Sequence, residues 1–340
     1  MKNTEKIERL KTIVEAFSGV RVTVLGDLVA DEFVFGEIAR VSREAPVLIL
    51  KHRERTVVPG GGANAVNNLA DLGVGVVPLG ITGDDGPGKM LAEYFRKKKI
   101  PVAGMLRDKT YTTVTKTRIL AGMTHTSRQQ VVRVDQEPEQ GPSEGALKKL
   151  VEAARRAVVK SDALLVSDYG YGSATPAILC AVGRGRDVPV VLDSRHRLLE
   201  YEGATAATPN EPEVEAALGV RIGQDWGKLV TSGERVMLRM KLKSLLITRG
   251  RDGMVVFERG RKPVDIPIFG SDEVADVTGA GDTVIAVFTA ALGAGASAVE
   301  AALLANYAGG IVVMKRGTAT VSRTELLRAL EQAPPVIRPH

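Results

Sequence analysis

The sequence is poor in cysteine, histidine and aromatic residues. One cysteine, Cys180, among 340 residues excludes an internal disulfide framework and suits a reducing compartment. The four histidines, His52, His125, His196 and His340, form no H-E-x-x-H pair, and one cysteine leaves no zinc-ligand spacing. Aromatic residues make up 4%, too few to interleave with basic clusters as nucleic-acid-binding surfaces do. No apolar run approaches the roughly 18–20 residues of a membrane helix. The N-terminal stretch alternates charged and apolar residues, as a surface helix does and a secretion signal does not. A cytoplasmic protein without nucleic-acid or membrane partners is expected. No G-x-S-x-G elbow is present. Gly83 to Met90 fits G-x-x-x-x-G-K but ends in methionine, where a P-loop needs Ser or Thr for its cation.

What is present is an ordinary globular composition, 44% hydrophobic and 25% charged, with a net charge of +6 that suits a small anionic substrate. Apolar strands alternate with helical periods along most of the chain. Strands are expected at 22–25, 76–79, 163–166, 189–192, 204–208, 245–248 and 254–258. Helices are expected at 63–72, 88–98, 143–159, 174–182, 212–218, up to about 240, 280–292 and 298–314. That rhythm predicts a mostly parallel sheet covered on both faces. Two segments break it, near 31–57 and 111–134, where apolar and polar residues alternate as in half-exposed antiparallel strands. Pro59-Gly60-Gly61-Gly62 should interrupt the first. Together the two segments are expected to form one small sheet over the crevice at the strand ends.

The most informative segment is Asp276-Val-Thr-Gly279-Ala280-Gly281-Asp282, directly before a helix. Glycines there permit backbone conformations that other residues resist. A helix start offers unsatisfied N–H groups and the positive end of a dipole, an anion hole for a phosphoryl group. Asp282, on the first turn, is placed to take a proton from an attacking hydroxyl. A helix cap and a shaped turn would also account for a bare Gly-x-Gly-Asp. The longer D-x-x-G-A-G-D form resembles the late signature of the ribokinase-like (PfkB) carbohydrate kinases. Three further segments, in order, carry the same resemblance: Pro59-Gly60-Gly61-Gly62-Ala63-Asn64, Asn210-Glu211-Pro212-Glu213, and Thr248-Arg249-Gly250-Arg251-Asp252-Gly253. The opening Gly26-Asp27 with Asp31 agrees. Within that family the chain is most similar to the D-glycero-β-D-manno-heptose 7-phosphate kinases. Ser42 to Val47, Thr115 to Arg118, Gln129 to Asp135, Ser167-Asp168-Tyr169 and Gly317 to Ser322 carry that likeness.

The resemblance implies one ribokinase-like three-layer α/β/α domain over 1–340 with a small β-lid, and ATP-dependent phosphorylation of a sugar or sugar phosphate. It implies Asp282 as base, with the Gly279–Ala280–Gly281 backbone holding the transferred phosphoryl group. Asn210 and Glu213 would organise Mg²⁺ and the nucleotide phosphates through water, as suits a hard cation. Thr248, Gly250, Gly253, Asn306 and Gly310 would line the nucleotide pocket, although Asn306 also reads as a buried structural hydrogen bond. Asp31, Asn64, Gly60, Gly61 and Asp193 would face the sugar. Asp27 reads equally as a sugar contact or a loop support. Lys116, Arg118, Arg128 and Arg133 would grip a substrate phosphate or cover an exposed sheet face. Asp276 and Thr278 would help to hold a monovalent cation, as in some relatives. The heptose kinases carry D-P-K-G where this chain has Asp193-Ser194-Arg195-His196, a departure from their pattern. Two other readings stay open: another kinase of the family acting on a free sugar or hexose phosphate, and a non-catalytic sugar or nucleotide sensor. Exposed lid edges invite a second subunit, so a homodimer is expected. The nucleotidyltransferase fused to some heptose kinases is expected on another chain.

Overall fold

The structure, a computed structural model, describes residues 3–122, 129–183, 188–270, 276–315, 317–332 and 334–338. Helix α1 (Asn3–Ala16) leads to strand β1 (Arg21–Gly26), which runs into two 14-residue strands, β2 (Leu28–Val41) and β3 (Leu48–Gly61). Helix α2 (Gly62–Asp71), strand β4 (Gly75–Gly83), helix α3 (Gly86–Lys97) and strand β5 (Met105–Asp108) follow. A second pair of strands, β6 (Thr115–Gly122) and β7 (Gln129–Gln136), precedes helix α4 (Glu144–Val158). Regular alternation then gives β8 (Ala163–Asp168), α5 (Pro176–Val182), β9 (Val190–Ser194), β10 (Ala206–Ala207), α6 (Glu211–Leu218) and α7 (Trp226–Met240). The chain continues with β11 (Ser244–Thr248), β12 (Met254–Glu258), β13 (Val264–Ile266), α8 (Ala280–Gly293), α9 (Ala298–Val313) and α10 (Arg323–Gln332).

Nine strands form one sheet in the order β13-β12-β11-β10-β9-β8-β1-β4-β5. Pairing is parallel from β5 to β11, and β12 and β13 add an antiparallel edge. Because successive strand side chains point to opposite faces, the sheet feeds two cores. Ala163 and Leu165 join one with α1, α2, α3, α8, α9 and α10; Leu164 and Val166 join the other with α4, α5, α6 and α7. This is the expected three-layer α/β/α arrangement. Among the described residues no helix is long and apolar enough to cross a membrane. Cys180 is an exposed free thiol.

The two irregular segments do form one separate sheet, ordered β3-β2-β6-β7. Within each segment the strands pair antiparallel, as expected, and the two hairpins join through a parallel pairing of β2 with β6, for which the sequence supplies no direction. Nor do Pro59, Gly60 and Gly61 break the strand: they pair with Ala30, Val29 and Leu28. The break comes at Gly62, whose added Cβ would lie 3.1 Å from the Gly26 Cα, so α2 can begin hard against the end of β1. β5, β13 and α10 had no expectation of their own. β10 shrinks from an expected five-residue strand to two residues.

The root of the lid rests on another close approach. A Cβ on Gly80, in β4, would stand 2.5 Å from the Gly26 carbonyl oxygen and 2.6 Å from Leu28 Cγ. Backbone and a buried core side chain are both hard to displace, so Gly80→Ala overpacks the point where β2 leaves the main sheet. The expected cost is about 1–3 kcal/mol, read as a lower midpoint in urea unfolding with an unchanged slope.

Candidate active site

The parallel strands deliver their C-terminal ends to one crevice, the usual ligand position in such sheets. Asp27 follows β1, Tyr169 follows β8, Asp193 lies in the last residues of β9, Asn210 precedes α6 and Thr248 ends β11. Helix α8 starts beside them. Its N-cap is Gly279, at φ 80°, where a Cβ would strike the Asn64 amide at 2.6 Å. Glycine is therefore required there twice, for its backbone angle and for its missing side chain.

The first turn of α8 differs in one detail from the expected anion hole. The Ala280 N–H donates to the Val277 carbonyl at 3.2 Å. Among the described residues, the N–H groups of Gly279, Gly281 and Asp282 have no such acceptor, so these three are the free donors. Space in front of Gly281 is open, since a Cβ there would meet nothing within 4 Å.

Asp282 is 5% exposed. Its Oδ2 accepts from Asn64 Nδ2 at 2.9 Å, and its Oδ1 accepts from the Tyr169 hydroxyl at 2.8 Å. Asn64 is itself held by Asn68, whose Nδ2 donates to the Asn64 carbonyl at 3.0 Å. Thr283 then donates to Asn68 Oδ1 at 2.9 Å. Burial pushes the Asp282 carboxyl up to about 6, although hydrogen bonds from Asn64 and Tyr169 pull the other way. It is thus a carboxylate at neutral pH that accepts a proton more readily than an exposed aspartate, as a general base must.

Asp27 supports the loop beyond β8. Its oxygens accept from the backbone N–H groups of Tyr169 at 2.9 Å, Tyr171 at 3.0 Å and Ser173 at 2.8 Å. Asp31, 5% exposed, accepts from Arg118 at 2.8 Å, and its Oδ2 fills the space that a Cβ on Gly60 would need, 2.6 Å away. Gly61 sits at φ 54°, with Tyr169 packed 3.3 Å from where a Cβ would be.

The cations expected on the lid are present but mostly paired. Register places Asp31, Lys116 and Asp135 in one row across β2, β6 and β7, and Phe33, Arg118 and Arg133 in the next. Arg118 pairs with Asp31 and stacks over Phe33; Arg133 pairs with Asp135, its Nε 2.7 Å from Oδ1. Lys116 holds its ammonium 5.5 Å above the Tyr169 ring, and burial lowers its pKa. Arg118 is nearly covered and Lys116 half-buried, so this part of the sheet is not an open solvated face. Arg128 lies outside the described residues.

Two cavities meet at Gly281. One, about 380 Å³, is lined by Tyr169, Asp193, Arg195, Asn210 and Glu213. The other, about 200 Å³, brings together Thr248, Gly250, Gly253, Asn306 and Gly310, with Met254 and Val284 as apolar walls. All five residues expected around a nucleotide therefore share one hollow. Asn306 also makes the structural bond, its amide donating to the Pro267 carbonyl at 2.9 Å. A roomier groove of about 610 Å³ beside the start of α7 contains Arg221, Lys228 and Arg235. Its only carboxylate, Asp225, is an exposed helix cap, so size alone does not mark the reactive site.

Asn210 and Glu213 form a reciprocal capping box on α6, Glu213 N–H to Asn210 Oδ1 at 2.8 Å and Asn210 N–H to Glu213 Oε2 at 2.9 Å. Burial raises the Asp193 carboxyl well above the usual range, and the charges of Glu213, Asp282 and Asp168 add to the effect. Burial raises Glu213 as well, against the hydrogen bonds from Asn210 and the charge of Arg195. Two carboxyl groups and the Asn210 amide facing one cavity are oxygen donors of the kind a hydrated hard cation takes. No group of three His, Cys, Asp or Glu side chains converges among the described residues. Asp276 accepts from the N–H groups of Thr278 at 2.9 Å and Gly317 at 3.1 Å. Burial opposes its charge, yet these bonds hold its carboxyl below the usual range.

Tyr169, Asn68 and Thr283 had no role assigned from sequence. Asp168-Tyr169 closes a buried strand, which is a positional signal; the contacts of Asn68 and Thr283 depend on how α2 meets α8.

Known proteins resemble this chain in sequence and in fold. The chain is 40% identical over 315 residues to "Bifunctional protein HldE" of Geobacter metallireducens, covering 92% of this chain and 63% of the relative. It is 39% identical over 328 residues to the protein of that name from Gluconobacter oxydans, covering 95% and 67%. The chain thus spans about two thirds or less of the curated relatives it matches. Phosphofructokinase-2 from Escherichia coli, solved with potassium, superposes with a TM-score of 0.74 at 17% identity, covering 92% of this chain and 98% of that one. Arabidopsis thaliana ribokinase with ribose and ATP gives 0.70 at 20%, covering 92% and 99%. Both share the ribokinase-like fold. Since the pfkB family carbohydrate kinase description matches residues 27–325, nearly the whole of the α/β body and its lid, the chain belongs to that family.

Proposed function

We propose that this sugar kinase transfers the γ-phosphoryl group of ATP to O1 of D-glycero-β-D-manno-heptose 7-phosphate, giving the 1,7-bisphosphate. The observation that carries the reading is the meeting of two cavities at Gly281, next to a buried carboxylate and under a lid that bears Lys116 and Arg118. Asp282 accepts the proton of the acceptor hydroxyl. The freed oxygen attacks the γ-phosphorus, the bond to the β–γ bridging oxygen breaks, and ADP leaves. The N–H groups of Gly281 and Asp282 face the charge that moves onto the phosphoryl oxygens. Thr248, Gly250, Gly253 and Gly310 wall the nucleotide side. Asn210 and Glu213 would hold a Mg²⁺ ion through water, and Asp193, expected at the sugar, lines the same cavity and would join them; when bound, the ion neutralises phosphate charge. Asn64 orients the base, and Lys116, with Arg118 and Arg133, meets the 7-phosphate. Similarity to the two-function relatives supports the heptose substrate. The paired state of Arg118 and Arg133 favours a second reading, another sugar of the same family, since it leaves fewer cations for a phosphate.

The deciding experiment follows ATP consumption with Mg²⁺ across heptose 7-phosphate, fructose 6-phosphate, fructose 1-phosphate, ribose and fructose. Turnover confined to heptose 7-phosphate is the expected result; preference for another sugar discards the heptose assignment. Asp282→Asn should lower kcat by about 10²–10⁴-fold, the usual contribution of a general base. The base works only when ionised, so kcat/KM should rise with pH through about 6, the value to which burial moves Asp282. Lys116→Ala should raise KM for the phosphorylated sugar roughly 10–100-fold, as for one lost charge-assisted bond of about 1.5–3 kcal/mol. An equal change for free sugars would mean that Lys116 does not meet a phosphate.

We also propose that the lid carries a homodimer interface. Val131, Val132 and Val134 on β7, with Val41, Val47 and Leu48 at the far end of the first hairpin, are exposed apolar side chains on a sheet with open edges. Light scattering should give twice the chain mass at micromolar concentration; a single-chain mass would refute the interface.

A further inference from the structure

Tyr169 occupies an unusual position between the lid and the base. Its hydroxyl donates to Asp282 Oδ1 at 2.8 Å, its backbone N–H is held by Asp27 at 2.9 Å, and its ring packs against Gly61. The Lys116 ammonium lies 5.5 Å from the ring centre on the lid side. Every freedom of the side chain is thereby fixed: the main chain by a buried carboxylate, the ring by a glycine and a cation, the hydroxyl by the base. The phenol has one proton, and burial beside Asp282 keeps it there, well above the ordinary tyrosine range. It therefore acts as a donor and does not compete as a base.

We infer that Tyr169 is the positioning residue of Asp282, fixing the carboxylate orientation and stabilising its ionised form, and that Lys116 ties this post to the lid. The inference rests on the reading of Asp282 as base. Two donors, Asn64 on Oδ2 and Tyr169 on Oδ1, leave each oxygen one further lone pair. The acceptor hydroxyl must use one of these, so the two donors together restrict where it can approach. A donor to the charged form also favours that form. Other groups act on the same carboxylate: Asp31 from β2 raises its pKa, and Lys116 from β6 lowers it. Asp193 from β9 and Arg195 just beyond it face the Tyr169–Asp282 pair with opposite signs. None of them is hydrogen-bonded to Asp282 among the described residues, so Tyr169 and Asn64 are the contacts that set its orientation.

The test compares the wild type with Tyr169→Phe, which keeps the ring and its contact with Lys116, and with Tyr169→Leu, which removes both. The Asp282 carboxyl is titrated directly by ¹³C NMR of protein labelled at aspartate Cγ, its resonance assigned by loss in Asp282→Asn. No sugar is needed for this reading. In Tyr169→Phe the midpoint should move upward by about half a unit or more, as expected when a carboxylate loses one donor. With the sugar that the panel identifies, kcat should fall about tenfold and the acidic limb of kcat/KM should move by the same amount, with KM for ATP unchanged. Tyr169→Leu should in addition raise KM for the sugar. A phenylalanine variant with the wild-type titration midpoint overturns the inference, whatever happens to its thermal stability. Should Asp282→Asn keep its kcat while the midpoint still moves, the base reading fails and the structural coupling stands.

Discussion

The arrangement turns on one costly burial, a carboxylate placed inside the first turn of an otherwise uncharged helix. From Asp282 onward the first three turns of α8 are buried without interruption, and α8 packs on both α2 and α9. A charged group there is unfavourable unless donors reach it. Donors come from two separate elements, Asn64 near the start of α2 and Tyr169 just beyond β8. Each depends in turn on a tight backbone passage. α2 can present Asn64 only because Gly62 lets it begin against Gly26 and Gly279 leaves room for the amide. Tyr169 is in place only because Asp27 gathers three N–H groups of its loop. The glycines of the early and late motifs are thus two sides of one contact, and neither motif makes sense without the other.

The same economy of charge runs through the lid. A sheet that covers a phosphate-handling crevice needs cations, yet unpaired cations held close together repel one another. The register resolves this by setting Asp31 and Asp135 on either side of Lys116, one row from Arg118 and Arg133. Arg118 and Arg133 are then neutralised in the resting protein, and on the proposed reading a substrate phosphate would have to compete with carboxylates for them. That competition favours discrimination over raw affinity, because a ligand without the right anion cannot repay the lost ion pairs.

How much of this was readable in the sequence follows from the range of the interactions. The D-x-x-G-A-G-D segment and the α/β rhythm are local signals, whereas the five nucleotide-side residues were implied by the family resemblance. A helix start, a turn or a strand end declares itself within a few residues, and those expectations agree with the geometry. Pairings between distant segments do not. Asp31 meets Arg118 across 87 positions, and Asn64 meets Asp282 across 218. The parallel join of β2 and β6 is hidden for the same reason: hydrophobic alternation gives the period of a strand but not the direction of its partner. Asp27 illustrates a third case. Sequence left it equally a sugar contact or a loop support, and the three N–H groups that converge on it become visible only in the fold.

Asn210 and Glu213 show why a structural role and a chemical role need not compete. Their capping box uses Asn210 Oδ1 and Glu213 Oε2, contributing about 1 kcal/mol to the start of α6. The box also locks both side chains in the orientation that lines the 380 Å³ cavity beside Asp193. A carboxylate fixed by its own backbone loses little entropy when a hydrated cation arrives, whereas a free surface glutamate must be ordered first. Capping is therefore the means by which the acid is preorganised. The same logic applies to Asp282, which sits in the first turn of its helix and is oriented before any substrate arrives. On the proposed function, the same bonds at these helix starts would supply both stability and chemistry, so a substitution at either site should be read in both activity and folding.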